Sequence, residues 1–166
     1  IDGEAFDDVV FACHGDQVLP MLADPTERER DVLQHFPFTP NDTTLHTDEK
    51  LLPKREIARA SWNYLLMGDR QVTLTYHMNR LQSLGVPENY CVTLNADSII
   101  NETKVIQRMT YHHPRFDRAA IAAQARWGEI SGHNRTHYCG AYWFYGFHED
   151  GVRSALRVAE TLGVKV

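Results

Sequence analysis

The chain has 166 residues, is 43% hydrophobic and 23% charged, and carries a net charge of -5 with neutral histidines, values that fit one compact domain or a piece of a larger globular protein. No block of Lys or Arg supplies the basic footprint of a nucleic-acid binder, and no apolar run approaches the roughly 18 residues of a membrane span. The opening IDGEAFDDVVFA lacks the basic segment and cleavage-like site of a secretory signal.

In chain order, residues 7–13 read as a short strand, because the continuous apolar run VVFAC suits a strand buried on both faces, as in a parallel sheet. His14-Gly15-Asp16 is the turn after it, and residues 17–23 read as helical. A second helix begins at Asp24-Pro25-Thr26-Glu27, with Asp24 as N-cap, Pro25 at the first helical position and Glu27 placed to close a capping box. Val32, Leu33 and Phe36 lie on its apolar face, and Pro37 and Pro40 end it.

The middle changes character. Residues 43–46, 60–65, 71–78 and 90–94 read as strands, and 105–111 as another that Pro114 stops. In 71–78, Val72, Leu74, Tyr76 and Met78 alternate with Thr73, Thr75 and His77, so one face is expected to be wetter, as in an antiparallel sheet. Met67-Gly68-Asp69-Arg70 is a plausible hairpin turn before it.

The last third returns to mixed α/β character. Asp117 caps an alanine-rich helix to about residue 130, residues 131–134 form a loop, and 136–140 form a strand. The final helix carries Val152, Ala155, Leu156, Ala159 and Leu162 at i, i+3, i+4, i+7 spacing, and Gly163 is its stop. The order α/β, antiparallel β, α/β predicts two lobes with a ligand crevice between them.

Three cysteines (Cys13, Cys91, Cys139) are an odd number with no C-x-x-C spacing, which points away from a disulfide scaffold and toward a reducing cytoplasm. The N-x-[ST] matches at Asn41, Asn101 and Asn134 are then read as chance. The chain opens on Ile1 and enters a buried-type strand almost at once, which suggests the back part of a longer protein.

The segment YCGAYWFYGFHEDG, 138–151, is the candidate site. A strand, a glycine turn and a helix start make an anion site, because the first helical N–H groups lack internal partners and the dipole is positive there. Gly140 and Gly146 would let a flat ligand approach the backbone, while Trp143, Phe144, Tyr145 and Phe147 could supply ring walls. Glu149 and Asp150 would repel a phosphate, so a large delocalised group fits better, a flavin ring for instance. The competing reading is that the aromatics pack the core and the glycines cap.

CGAYW-YGFHEDG-RSA-RVAE together with VVFACHGDQ and SWNY resembles the C-terminal part of the flavin-containing amine oxidase superfamily. That group includes monoamine oxidases, protoporphyrinogen oxidases and phytoene desaturases. The closest resemblance is to a bacterial branch usually labelled predicted NAD/FAD-binding protein. The resemblance covers nearly the whole chain, and its last motif is the specific one. It implies an α/β (α+β) fold, the C-terminal fragment of a two-lobed FAD-dependent oxidoreductase. Residues 1–36 and 131–166 would belong to the FAD-binding lobe, and 37–130 to the substrate lobe. It places backbone N–H groups of Phe147, His148 and Glu149 at the flavin N1/O2 edge and Gly140 near the ribityl chain. Ala141 stands where the family usually has an acid. Gly146 and Trp143 complete the cofactor set, and Trp62, Tyr64 and Tyr76, with Trp143, are candidates for the substrate cavity. The substrate would be a small molecule, an amine or a hydrophobic, lipid-like compound, losing hydride to the flavin; no residue is an obvious base.

GxGxxG is absent from this sequence, so the Rossmann unit for the ADP half of FAD would be the N-terminal remainder of the same protein, and the fragment alone would bind FAD poorly and be inactive. Two rivals stand beside this. A metal-dependent hydrolase would draw on His133, His137 and Cys139, or on His112-His113, although Gly132 and Asn134 favour a loop there. A non-catalytic binding module is the other. Ser61 has no GxSxG around it, and Cys139 at a strand end suits an inert thiol.

Overall fold

The computed structural model describes residues 3–66 and 72–165. The fold is mixed α/β, with a two-stranded parallel sheet and a five-stranded antiparallel one. The chain divides into two compact units: Ile1–Thr39 with His113–Val166, and Pro40–His112. The expected division at 36/37 and 130/131 assigned residues 113–130 to the middle segment; they lie in the unit of the two outer segments. The reason is packing, since Ala120, Ala123 and Trp127 are buried in the same cluster as Val18, Leu33 and Tyr138.

In the first unit, β1 (Val9–Phe11) pairs in parallel with β7 (Thr136–Tyr138), Phe11 opposite Tyr138. Helix α1 (Gly15–Met21) follows β1 directly, and α2 (Glu27–Leu33) comes next. The cap of α2 sits two residues later than expected. Thr26, not Asp24, is the N-cap, and Glu29 rather than Glu27 closes the box, its Oε2 accepting from Thr26 N at 2.7 Å while Thr26 Oγ1 accepts from Glu29 N at 3.2 Å. The spacing S/T-x-x-E is met only by the Thr26–Glu29 pair.

Helix α4 (Arg118–Gln124) starts at Asp117, whose Oδ1 accepts from Ala120 N at 2.9 Å as expected, but it ends early and a 3-10 turn, Trp127–Glu129, takes its place. Helix α5 (His148–Thr161) ends at Gly163, which adopts φ +79°.

The second unit is built on β2 (Phe38–His46), β3 (Trp62–Leu66), β4 (Val72–His77), β5 (Cys91–Leu94) and β6 (Val105–Pro114), with the short helix α3 (Met78–Leu81) after β4. The sheet order is β3-β4-β5-β2-β6. Register puts Tyr64, Leu74 and Leu94 in one row and Trp62, Tyr76, Val92 and Leu45 in the next. The opposite face carries Asn63, Thr75, Thr93 and Thr44 in line, and His77, Cys91 and His46 beside them. The expected hairpin turn at Met67-Gly68-Asp69-Arg70 lies outside the described residues.

The wetter face turns out to be the inner one. Thr44, Thr73, Thr75, Thr93 and His46 are buried, while Trp62, Tyr64, Leu66 and Val72 are exposed. Burying hydroxyls costs little when each finds a partner. Thr75 Oγ1 meets Thr93 Oγ1 at 2.9 Å, and Thr93 Oγ1 meets His46 Nε2 at 2.7 Å. His46 Nδ1 accepts from Asp48 N at 3.0 Å, which fixes the tautomer with hydrogen on Nε2. Burial pushes the His46 imidazole below its ordinary pKa.

Candidate functional site

The C-terminal ends of parallel strands are where ligands lie in α/β sheets, and the segment from Cys139 to Asp150 leaves β7 at that end. Tyr138, just before it, is fully buried. Its hydroxyl donates to Glu29 Oε1 at 2.5 Å, and its carbonyl accepts from Trp127 Nε1 at 2.7 Å. Burial alone would raise the Glu29 pKa, but bonds from Tyr138 and Thr26 hold it below its ordinary value. The same contact and burial push the Tyr138 phenol up.

Gly140 follows at φ +151°, a backbone that disfavours any side chain. Its N–H donates to Ser154 Oγ at 2.7 Å, which ties the turn to α5. The space beside its Cα is taken by Tyr142, whose Cε1 lies 2.5 Å from where a Cβ would stand. The close approach expected for a flat ligand at Gly140 is therefore made by the protein's own ring. Ala141 is half-buried and packs toward Gly151. Trp143 is 2% exposed and sits edge-on to Phe36, ring centroids 4.6 Å apart. It is a core residue, as the competing reading held, and not an open wall. Gln124 Nε2 donates to the Tyr142 and Phe144 carbonyls at 2.9 and 2.5 Å, pinning the turn to α4.

From Tyr145 the chain surfaces. Tyr145, Gly146, Phe147, His148 and Glu149 are all exposed, and Gly146 adopts φ +90° against the ring of Phe116. Asp150 folds back, its Oδ2 accepting from Phe147 N at 3.0 Å and Tyr145 N at 3.2 Å. The Phe147 N–H, one of the three expected to face a cofactor, is thus already bonded. The N–H groups of His148 and Glu149 find no acceptor among the described residues. The accessible site is two unpaired helix N–H groups flanked by the Tyr145 and Phe147 rings.

Sequence reasoning missed Asp150, Gln124 and Ser154 as the residues that shape this turn. Asp150 carried a signal, an acid three positions after the N-cap; the other two reach across the tertiary structure and carried none.

On the second unit, Trp62, Tyr64 and Tyr76 share one face of the sheet, with Trp62 and Tyr76 edge-to-face at 6.2 Å. Trp143, the fourth ring expected in that group, belongs to the core of the first unit.

The thiols are poor nucleophiles. Cys139 is raised by burial, and Cys91 is pushed up to about 12, mainly by burial, with Glu49 adding to it. No group of three or more His, Cys, Asp and Glu that could hold a metal forms among the described residues. His137 Nε2 is held by Asp8 at 3.1 Å, and His133 Nε2 faces the Gly128 carbonyl at 3.3 Å. Among the described residues no helix is long and apolar enough to cross a membrane.

No family model matches the chain, and no curated protein matches it.

Proposed function

We propose that the chain is the C-terminal part of an FAD-dependent oxidoreductase of the amine oxidase type, with the flavin ring at the start of α5. The observation that carries this reading is the pair of unpaired N–H groups at His148 and Glu149, set between exposed rings at the head of a helix of 14 residues. Such a helix start favours a ligand edge that gathers negative charge. It fits a flavin edge better than a phosphate, because Glu149 and Asp150 already place carboxylates in the first turn.

Bound there, the flavin would supply the hydride acceptor. The chain's own part is to hold and orient. His148 and Glu149 donate backbone hydrogens, Phe147 and Tyr145 shield ring faces, and Asp150 keeps the turn closed. Trp62, Tyr64 and Tyr76 offer an apolar surface to a small-molecule substrate, an amine or a hydrophobic compound. The parallel pair β1–β7 supports the reading too, since parallel sheets are found covered on both faces and with more strands. In this reading the Rossmann unit lies in the remainder of a cytoplasmic protein, and this chain alone is inactive.

The test is the visible absorption of protein expressed from the intact gene. Stoichiometric flavin bands that dithionite bleaches and air restores are expected. A folded, colourless protein that ignores added FAD overturns the proposal.

A further inference from the structure

Periodicity puts Val152, Ala155, Leu156, Ala159 and Leu162 on one apolar stripe of α5. The fold buries a different stripe. Asp150, Ser154 and Val158 are the buried residues of the helix. Val158 joins the apolar core, Ser154 Oγ accepts from Gly140 N at 2.7 Å, and Asp150 accepts from the Phe147 N–H. The apolar stripe is left facing outward, with Val152 51%, Leu156 39% and Leu162 44% exposed. An open apolar face along a helix of 14 residues is the mark of a contact surface.

The charges beside the stripe identify what fits it. One flank is a recess of about 590 Å³ lined by Phe144, Glu149, Arg153, Leu156, Arg157 and Glu160. The Arg153 guanidinium is seated over the Phe144 ring, 4.3 Å from its centre. Neither Arg153 nor Glu160 forms an ion pair with any described residue. Seven residues apart, the two lie on the same flank, roughly 10 Å from one another along the axis. Such a flank is complementary to itself turned end for end. In a parallel pairing Arg153 would meet Arg153, and Glu160 would meet Glu160. In an antiparallel pairing about a two-fold axis at Leu156, equal flanks meet. Arg153 of each copy then faces Glu160 of the other, Val152 of each faces Ala159 of the other, and Leu156 packs on Leu156. Glu149 and Glu160 on this face oppose an anionic lipid surface.

We propose that the outer face of α5 is a self-association surface, on which a second copy of this chain docks antiparallel through Val152, Arg153, Leu156, Ala159 and Glu160. A helix of this length presents a face about 21 Å long. Two such faces bury roughly 1,000 Å² together, near the lower bound of a specific interface. The dimer is therefore weak, with a dissociation constant on the order of 10–100 μM. The proposal does not rest on the flavin reading, and its test needs no flavin.

Sedimentation of the whole chain at loading concentrations from about 5 to about 500 μM tests it. A reversible monomer–dimer equilibrium is expected. Arg153→Glu and Glu160→Arg should each weaken it at least about five-fold, and the two together should restore it to within about three-fold, a rescue that misfolding cannot imitate. Leu156→Asp, at the dyad, should weaken it more than about ten-fold while circular dichroism stays that of the parent. A chain that stays monomeric over the whole range overturns the proposal and leaves the face to another segment or protein. A dimer that Leu156→Asp leaves intact also overturns it, as does a charge reversal without effect or a double reversal without rescue.

Discussion

In the first unit the ring of Trp143 lies edge-on to Phe36, and Val18, Val32 and Leu33 fill the space around them. In the second, the inner face of the sheet is held by Thr75, Thr93 and His46, while Trp62 and Tyr64 face outward. The first unit combines apolar burial with charged contacts, among them the buried Tyr138–Glu29 bond, the Arg126–Asp31 pair and the Asp150 carboxylate on the Phe147 N–H. The inner face of the second is lined by hydroxyl and imidazole contacts, with His77 Nδ1 left unpartnered among them. Apolar patterning identifies an inner face only where burial is what the residues contribute; where hydroxyls satisfy one another, the polar face can be the inner one.

The largest effect that would sharpen this contrast is expected from Trp143→Ala, a loss of about 3–5 kcal/mol of unfolding free energy in guanidinium titration. A loss below about 1 kcal/mol would mean the ring is not a core element, breaking the comparison on its apolar side.

Tyr138→Phe should cost about 1.5–3 kcal/mol, as for a hydrogen bond to a charged group. It carries a pH signature as well. The Glu29 pKa lies below its ordinary 4.5 in the fold, so its contribution is present above that value and is lost as pH falls through the folded pKa. The variant should therefore show a shallower acid limb than the parent in melts from pH 6 to pH 3.

On the polar side, Thr93→Val should cost about 1–2 kcal/mol, because it leaves His46 Nε2 and the Thr75 hydroxyl without their shared partner. A stabilising valine would show that the layer is merely tolerated, and the contrast would collapse. His46 gives the same side a pH test. Its folded pKa is below 6.5, so the unfolded chain takes up the proton first and stability falls as pH drops below that value. Hydrogen exchange in β2 and β5 should quicken over that range, and His46→Gln should flatten the dependence. The smallest effect is expected from Tyr64→Ser on the outer face, less than about 0.5 kcal/mol.

Strand and helix positions were legible across most of the chain, because periodicity and caps are local. Asp117 caps α4 and Gly163 stops α5 where their residue types place them. The cap of α2 shifted to Thr26 because two overlapping cap signals compete within Asp24-Pro25-Thr26-Glu27, and only the capping-box geometry decides between them. The inner face of the second sheet was not legible, since Thr73, Thr75 and His77 look like solvent residues until their partners on β5 and at Asn89 are known. At the site, the strand–turn–helix order around Gly140 and Gly146 was legible. That Trp143 and Tyr142 turn inward while Tyr145 and Phe147 turn outward was not, because one aromatic run supplies both and the sequence marks no division between them. The Asn101-x-Thr103 match has a local use of its own, with Asn101 Oδ1 accepting from Thr103 N at 3.1 Å as a turn cap.

Tyr142 links positions that are far apart in sequence. Its ring stands 2.5 Å from where a Cβ on Gly140 would be and 3.0 Å from where one on Gly15 would be, and Phe36 Cβ is 2.8 Å from the latter. Mutational drift at these positions must then be ordered. Neither glycine can take a side chain first, and Gly140 is further barred by its backbone. Only Tyr142 can move first, and a smaller residue there leaves a void beside Gly15, Gly140 and Phe36. Homologous chains should keep Gly15 and Gly140 wherever they keep Tyr142, so the three positions behave as one inherited character spread over the two ends of the sequence.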